Sequence, residues 1–133
     1  MLLVTGTPPR EAPAGVTIVT DLVPGAGALG GIYSALVASA TERTAVVAGD
    51  MPFVSGRFLA FLAALAPEAD MVLPRSHDGL QPLCSIFARR AADAIRRQID
   101  AGALKIVDLI GTLHVREVGP DTIAPFDPEN VLF

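Results

Sequence analysis

The sequence predicts an α/β domain in which a parallel or mixed sheet carries helices on its faces. Three observations lead there. Short, β-branched apolar runs such as LLVTG, GVTIVTD and TAVVAGD alternate with stretches whose apolar residues recur at helical spacing. TAVVAGD is nearly continuous in apolar residues, the pattern of a strand buried on both faces of a sheet. The composition, 51% hydrophobic and 18% charged over 133 residues, supplies one core and suits a single domain spanning 1–133.

Each element follows in order. LLVTG (2–6) reads as a buried strand entering a loop of Gly, Thr and two prolines, and GVTIVTD (15–21) as a second strand ending in Asp21. LVPGAGALGG (22–31) reads as a glycine-rich loop, followed by a helix over 32–40 with Ile32, Ala35, Leu36 and Ser39 on one face. TAVVAGD (44–50) is the third strand. Ser55 can cap a helix over 56–66, where Phe58, Leu59, Leu62 and Leu65 recur at helical spacing and Pro67 ends the run. DMVLPRS (70–76) and LCSIF (83–87) read as strands joined by HDGLQP (77–82), a turn or loop. ARRAADAIRRQIDAG (88–102) is an amphipathic helix closed by Gly102, with Arg89, Arg90, Arg96 and Arg97 as its solvated face. A short helix over 103–111, a last strand TLHVREV (112–118) and a proline-rich tail complete the chain.

Charge and cysteine usage narrow the functional classes. A net charge of −4 without a basic stripe argues against nucleic-acid binding. The single Cys84 has no partner for an internal disulfide and no metal-type spacing, so it reads as a small buried hydrophobe. The start carries no signal-peptide pattern, and no apolar run reaches the ~18 residues that a membrane span needs, which makes a cytoplasmic location the expectation.

In α/β sheets ligands bind beyond the carboxyl ends of the strands, where Thr5, Asp21 and Asp50 are expected to fall. Asp50 ends an apolar strand and precedes Met51 and Pro52. A carboxylate there either caps the next segment or, with phosphate oxygens, holds Mg²⁺. Asp21 could accept hydrogen bonds from a sugar hydroxyl or a base N–H, or close an Asx turn. Gly25, Gly27, Gly30 and Gly31 form either a phosphate loop or a packed turn, without the GK[ST] of a Walker loop. Gln81, held extended by Pro82, could point its amide into a cleft. His77 and His114 lack ligand spacing.

Four stretches taken together, VTIVTDLVPGAGALGGIYSAL, AVVAGDMPFVS, MVLPRSHDGLQPLCSIF and GALKIVDLI, resemble the molybdenum cofactor guanylyltransferases and the nucleotidyltransferases similar to them. The resemblance implies a three-layer, Rossmann-like nucleotidyltransferase fold with a mainly parallel sheet. It implies transfer of GMP from GTP to the molybdopterin cofactor with Mg²⁺. Asp50 matches the metal-binding, catalytic aspartate, Asp21 the nucleoside contact, and Thr5, more loosely, a further nucleotide contact. Gln81 and Pro82 match the acceptor side of the cleft. A partner protein of cofactor delivery is a further expectation. The family opens with a strand and a loop of the form LAGGxSxRMGxDK, and it continues beyond ENVLF. Neither segment has a counterpart in this sequence, so the expectation is a fold truncated at both ends with weak or no transfer from this chain alone. Two other readings stay open: a non-catalytic module that binds molybdopterin or docks a partner, and transfer of another base, such as cytidylyl transfer, or to another acceptor.

Overall fold

β4 (Met71–Ser76) organises the molecule. It pairs parallel with β7 (Val115–Val118) and antiparallel with both β6 (Cys84–Ala88) and the two-residue β5 (Gly79–Leu80). β6 also pairs antiparallel with β3 (Arg43–Val47), which gives the order β3-β6-β4-β5 with β7 on β4. β1 (Leu2–Thr5) and β2 (Thr17–Thr20) form a separate parallel pair. A computed structural model describes residues 2–5, 17–20, 22–23, 25–48, 54–65, 67–128 and 132, with the backbone alone for 2–5 and 17–20.

The expected mainly parallel sheet is a mixed one. β3, β4 and β7 share a direction, and β6 opposes them. The cause is chain length. Only 77–83 separate β4 from β6, and a parallel crossover needs roughly a dozen residues or more. A turn at His77–Asp78, within the expected turn or loop, reverses the chain into the short β5, and Gly79 takes a φ of 117°, open to glycine.

Side-chain alternation along the strands builds two cores and so three layers. Met71 and Leu73 of β4 and Phe87 of β6 point to one face. There they pack with Leu29, Ile32 and Leu36 of α1 (Gly27–Ala38), Ile95 and Ile99 of α3 (Ala91–Asp100) and Leu109 of α4 (Ile106–Ile110). Val72, Cys84, Ile86 and Val118 point to the other face, against Phe58 and Leu62 of α2 (Gly56–Leu65) and Ile123 of α5 (Pro120–Ile123). Cys84 is fully buried, as expected for a small hydrophobe, and burial pushes its thiol up to about 11. No helix among the described residues is long and apolar enough to cross a membrane.

Four details depart from the sequence expectation. α1 begins at Gly27, so the second half of the expected glycine loop is helix, and Gly30 is buried in it. There a glycine's backbone-entropy cost is met by packing. Arg89 and Arg90 precede α3 and bind backbone and Asp70 instead of extending a solvated helical face. The tail forms α5 and a 3-10 turn at Ala124–Phe126, whose Phe126 ring lies 4.7 Å from that of Phe61. β3 is not buried on both faces, because Ala45 and Val47 are exposed on a strand that pairs only with β6 among the described residues.

Candidate functional site

The shared direction of β3, β4 and β7 puts three strand ends on one edge of the sheet. Val47, Ser76 and Val118 mark them, and the start of β6 at Cys84 lies opposite Val47. The segment Gln81–Leu83 therefore lies beside the end of β3. The Ala48 N–H donates to the Leu83 carbonyl at 2.8 Å, two residues before Asp50. The turn is internally fixed. Gln81 N–H donates to Pro74 O at 2.8 Å, Cys84 N–H to Gln81 O at 3.1 Å, and the Ser85 hydroxyl to Pro82 O at 2.6 Å.

The Gln81 side chain serves that turn. Its amide Nε2 donates to Ser76 Oγ at 3.0 Å, and Ser76 Oγ also accepts from Asp78 N–H at 3.2 Å. The structure thus brings Gln81 and Pro82 to the carboxyl edge, next to the approach to Asp50. Asp50 and Asp21 themselves lie outside the described residues. Thr5 ends β1 and is in register with Thr20 at the end of β2, in the pair that among the described residues shares no strand pairing with β3. His77 sits at the carboxyl edge, whereas the His114 carbonyl accepts from Asp70 N–H at the amino edge.

Ser34 was missed by the sequence reading and ties the glycine-rich segment down. It is fully buried in α1, donates to Gly30 O at 2.7 Å and accepts from Leu22 N–H at 2.8 Å. Leu22 directly follows Asp21, so one hydroxyl holds the chain leaving that carboxylate. The signal was a serine four residues after a glycine on an apolar helix, where a hydroxyl must find a backbone partner.

The amino edge carries a different cluster. Arg90 Nε donates to Asp70 Oδ1 at 2.5 Å, and His114 N–H to Asp70 Oδ2 at 2.9 Å. Burial pushes the Asp70 carboxyl up. The hydrogen bonds from His114 and Arg90, with the charge of Arg90, outweigh it and hold the group below its ordinary value. This cluster joins the starts of β4 and β7 to the end of β6, and its work is structural.

A three-layer α/β sheet with the ends of β3, β4 and β7 on one edge belongs to the Rossmann-like fold class. A family model described as the MobA-like NTP transferase domain matches residues 1–116, and the chain belongs to that family. It is 28% identical to the molybdenum cofactor guanylyltransferase of Desulfosudis oleivorans over 134 residues, covering all of this chain and 66% of that protein. A relative from Chloroflexus aggregans, named for the same activity, is 37% identical over 84% of this chain and 55% of its own length. Among solved structures, the molybdopterin-guanine dinucleotide biosynthesis protein A of Archaeoglobus fulgidus matches with a TM-score of 0.76 at 31% identity, over 87% of this chain and 59% of that one. The chain thus spans between about half and two thirds of the relatives it matches.

Proposed function

We propose that this chain works in the transfer of GMP from GTP to the molybdopterin cofactor. The acceptor's phosphate oxygen forms the new bond to the α-phosphorus of GTP, and the bond to pyrophosphate breaks in line with it. The observation that carries the reading is the Ala48–Leu83 hydrogen bond of 2.8 Å, which sets the end of β3 against the Gln81–Leu83 turn. A carboxylate leaving β3 and an acceptor held by that turn would then face one crevice. The family match and the names of the relatives support the same reaction.

In this reading Asp50 is the metal-binding, catalytic carboxylate, Asp21 and Thr5 contact the nucleotide, and Gln81 and Pro82 shape the acceptor side. Among the described residues no group of three or more His, Cys, Asp or Glu is placed to hold a metal. The proposed donor set is Asp50 with phosphate oxygens, which suits Mg²⁺, an ion that is commonly bound by one or two carboxylates and substrate phosphates. When bound, the ion neutralises triphosphate charge. The chain's own part is positioning, which supplies much of the acceleration in phosphoryl transfer.

The test is Mg²⁺-dependent binding of GTP against CTP, followed by transfer of labelled GMP to molybdopterin. Expected is GTP binding that needs Mg²⁺ and is lost in Asp50→Asn with the fold intact. Equal binding of CTP would move the reading to another base. Retention of molybdopterin with no nucleotide binding would overturn it in favour of a non-catalytic binding module.

A further inference from the structure

Phe126 comes from the far end of the chain, yet its ring contacts lie in the first half of α2. Its centroid is 5.6 Å from that of Phe58 and 4.7 Å from that of Phe61, at tilted angles, within the roughly 4.5–7 Å over which aromatic pairs attract. The Arg57 guanidinium stands over the same ring, 5.5 Å from its centre. Arg57 is the informative partner. It sits in the first turn of α2, where the helix dipole is positive and no acidic residue offsets it. A cation is unfavourable there, and the negative face of the Phe126 ring supplies the compensation that the helix itself lacks.

The tail brings the ring to that place. Gly119 follows β7 directly, and Pro120 opens α5 where a proline forfeits no helical hydrogen bond. Ile123 is buried, Asp127 Oδ1 accepts from Leu132 N–H at 3.1 Å, and Leu132 is buried in the same core as Phe58 and Leu62. What this fastening grips is the chain that leaves Asp50. Val54, four residues after Asp50, packs on that core. Ser55 caps α2, its hydroxyl accepting from Phe58 N–H and its carbonyl from Leu59 N–H, each at 3.2 Å. Within α2 only Phe58 and Leu62 are buried, and a short helix owes most of its stability to what packs against it. Phosphoryl transfer depends on positioning, so a side chain remote from the phosphates can govern it. We propose that Phe126 is a positioning residue for the transfer: by clasping Arg57, Phe58 and Phe61 it fixes the start of α2 and the segment that carries Asp50. The inference rests on the metal role proposed for Asp50.

The experiment uses the full chain in two measurements, amide exchange over 49–58 and GTP binding at rising Mg²⁺. Phe126→Leu keeps apolar bulk and removes the ring face, whereas Phe126→Tyr keeps the ring. Ile99→Ala empties part of the core on the other face of the sheet and controls for general loss of stability. Expected in Phe126→Leu is exchange over 49–58 faster by about 10-fold or more with β6 unchanged, and a rise of about 10-fold in the Mg²⁺ needed for half-maximal GTP binding. Phe126→Tyr should match the parent chain in both, and Ile99→Ala should leave the Mg²⁺ requirement unmoved. Exchange over 49–58 that ignores Phe126→Leu overturns the proposal. Faster exchange with an unchanged Mg²⁺ requirement overturns it too, by making Phe126 a packing residue alone, as does an equal shift in Ile99→Ala. If the parent chain binds no GTP, the transfer reading falls, and exchange in Phe126→Leu still decides whether the ring holds the segment.

Discussion

The side-chain amide of Gln81 donates to the hydroxyl of Ser76 at 3.0 Å, which closes the β4–β5 turn on itself. Gln81→Leu removes that donor but leaves Asp78 N–H on the same hydroxyl. A cost of about 1 kcal/mol is expected, the usual net worth of one such bond. Amide exchange at Gly79 and Leu80 should speed up while that of β6 does not. With the acceptor assay in hand, KM for the pterin substrate should rise and KM for GTP should hold. An unchanged exchange pattern would show that the turn does not depend on the amide.

Ser34 carries a second local dependence. Its hydroxyl is buried between Gly30 O and Leu22 N–H, so Ser34→Ala removes an acceptor from a backbone donor next to Asp21. Such losses cost about 1–3 kcal/mol. Thermal unfolding should show the loss, and GTP affinity should fall with it. Full GTP affinity in a destabilised Ser34→Ala would separate the α1 packing from the nucleotide side.

Asp70 gives the fold an acid-sensitive fastening. Its carboxyl is held below its ordinary value of 3.8 by His114 N–H and Arg90 against the opposing effect of burial. The stabilisation is therefore fully present above that value and is lost as pH falls through the folded-state value. The Arg90 side chain is 55% exposed, so solvent screens the pair, and about 1 kcal/mol is the expected scale. Urea unfolding at pH 7 should show Asp70→Asn less stable than the parent chain, and the gap should narrow as pH falls below 3.8. A gap that widens in acid would contradict the depressed value.

Much of this molecule could be read from local pattern, and the exceptions have physical causes. Strands β1, β2, β4, β6 and β7 fall inside their expected segments or within a residue of them, because β-branched runs bounded by turn residues carry a local signal. Ser55 caps α2 as expected, accepting from Phe58 N–H at 3.2 Å. The start of α1 was hidden because Gly27, Gly30 and Gly31 argue for a loop by propensity, and packing of Leu29 and Ile32 overrides that. The reversed β6 was legible only in the short HDGLQP connection. Gln81 and Pro82 lie beside the end of β3, and the Gln81 amide, expected to be able to point into a cleft, turns to Ser76, a contact five residues away that no periodicity encodes. The helical turns at Pro120–Ile123 and Ala124–Phe126 could not be read, since the proline-rich tail looked like loop.

The open edge of β3 yields the last prediction. Among the described residues β3 pairs only with β6, and it exposes Ala45 and Val47, the latter at 38%. An edge strand with free N–H and C=O groups and small apolar side chains is a template for pairing with another chain. Among the described residues the β1–β2 pair does not hydrogen-bond to it, although α1 touches β1, β2 and β3 alike. The chain should therefore self-associate through β3, with apparent mass rising with concentration in sedimentation. Ala45→Lys places a charge on this strand, and natural edges are blunted in that way. It should shift the protein towards monomer with little change in unfolding midpoint, because Ala45 is exposed and contributes no core packing. A monomer at all concentrations, or association that Ala45→Lys leaves untouched, would mean that the edge is covered within the chain itself.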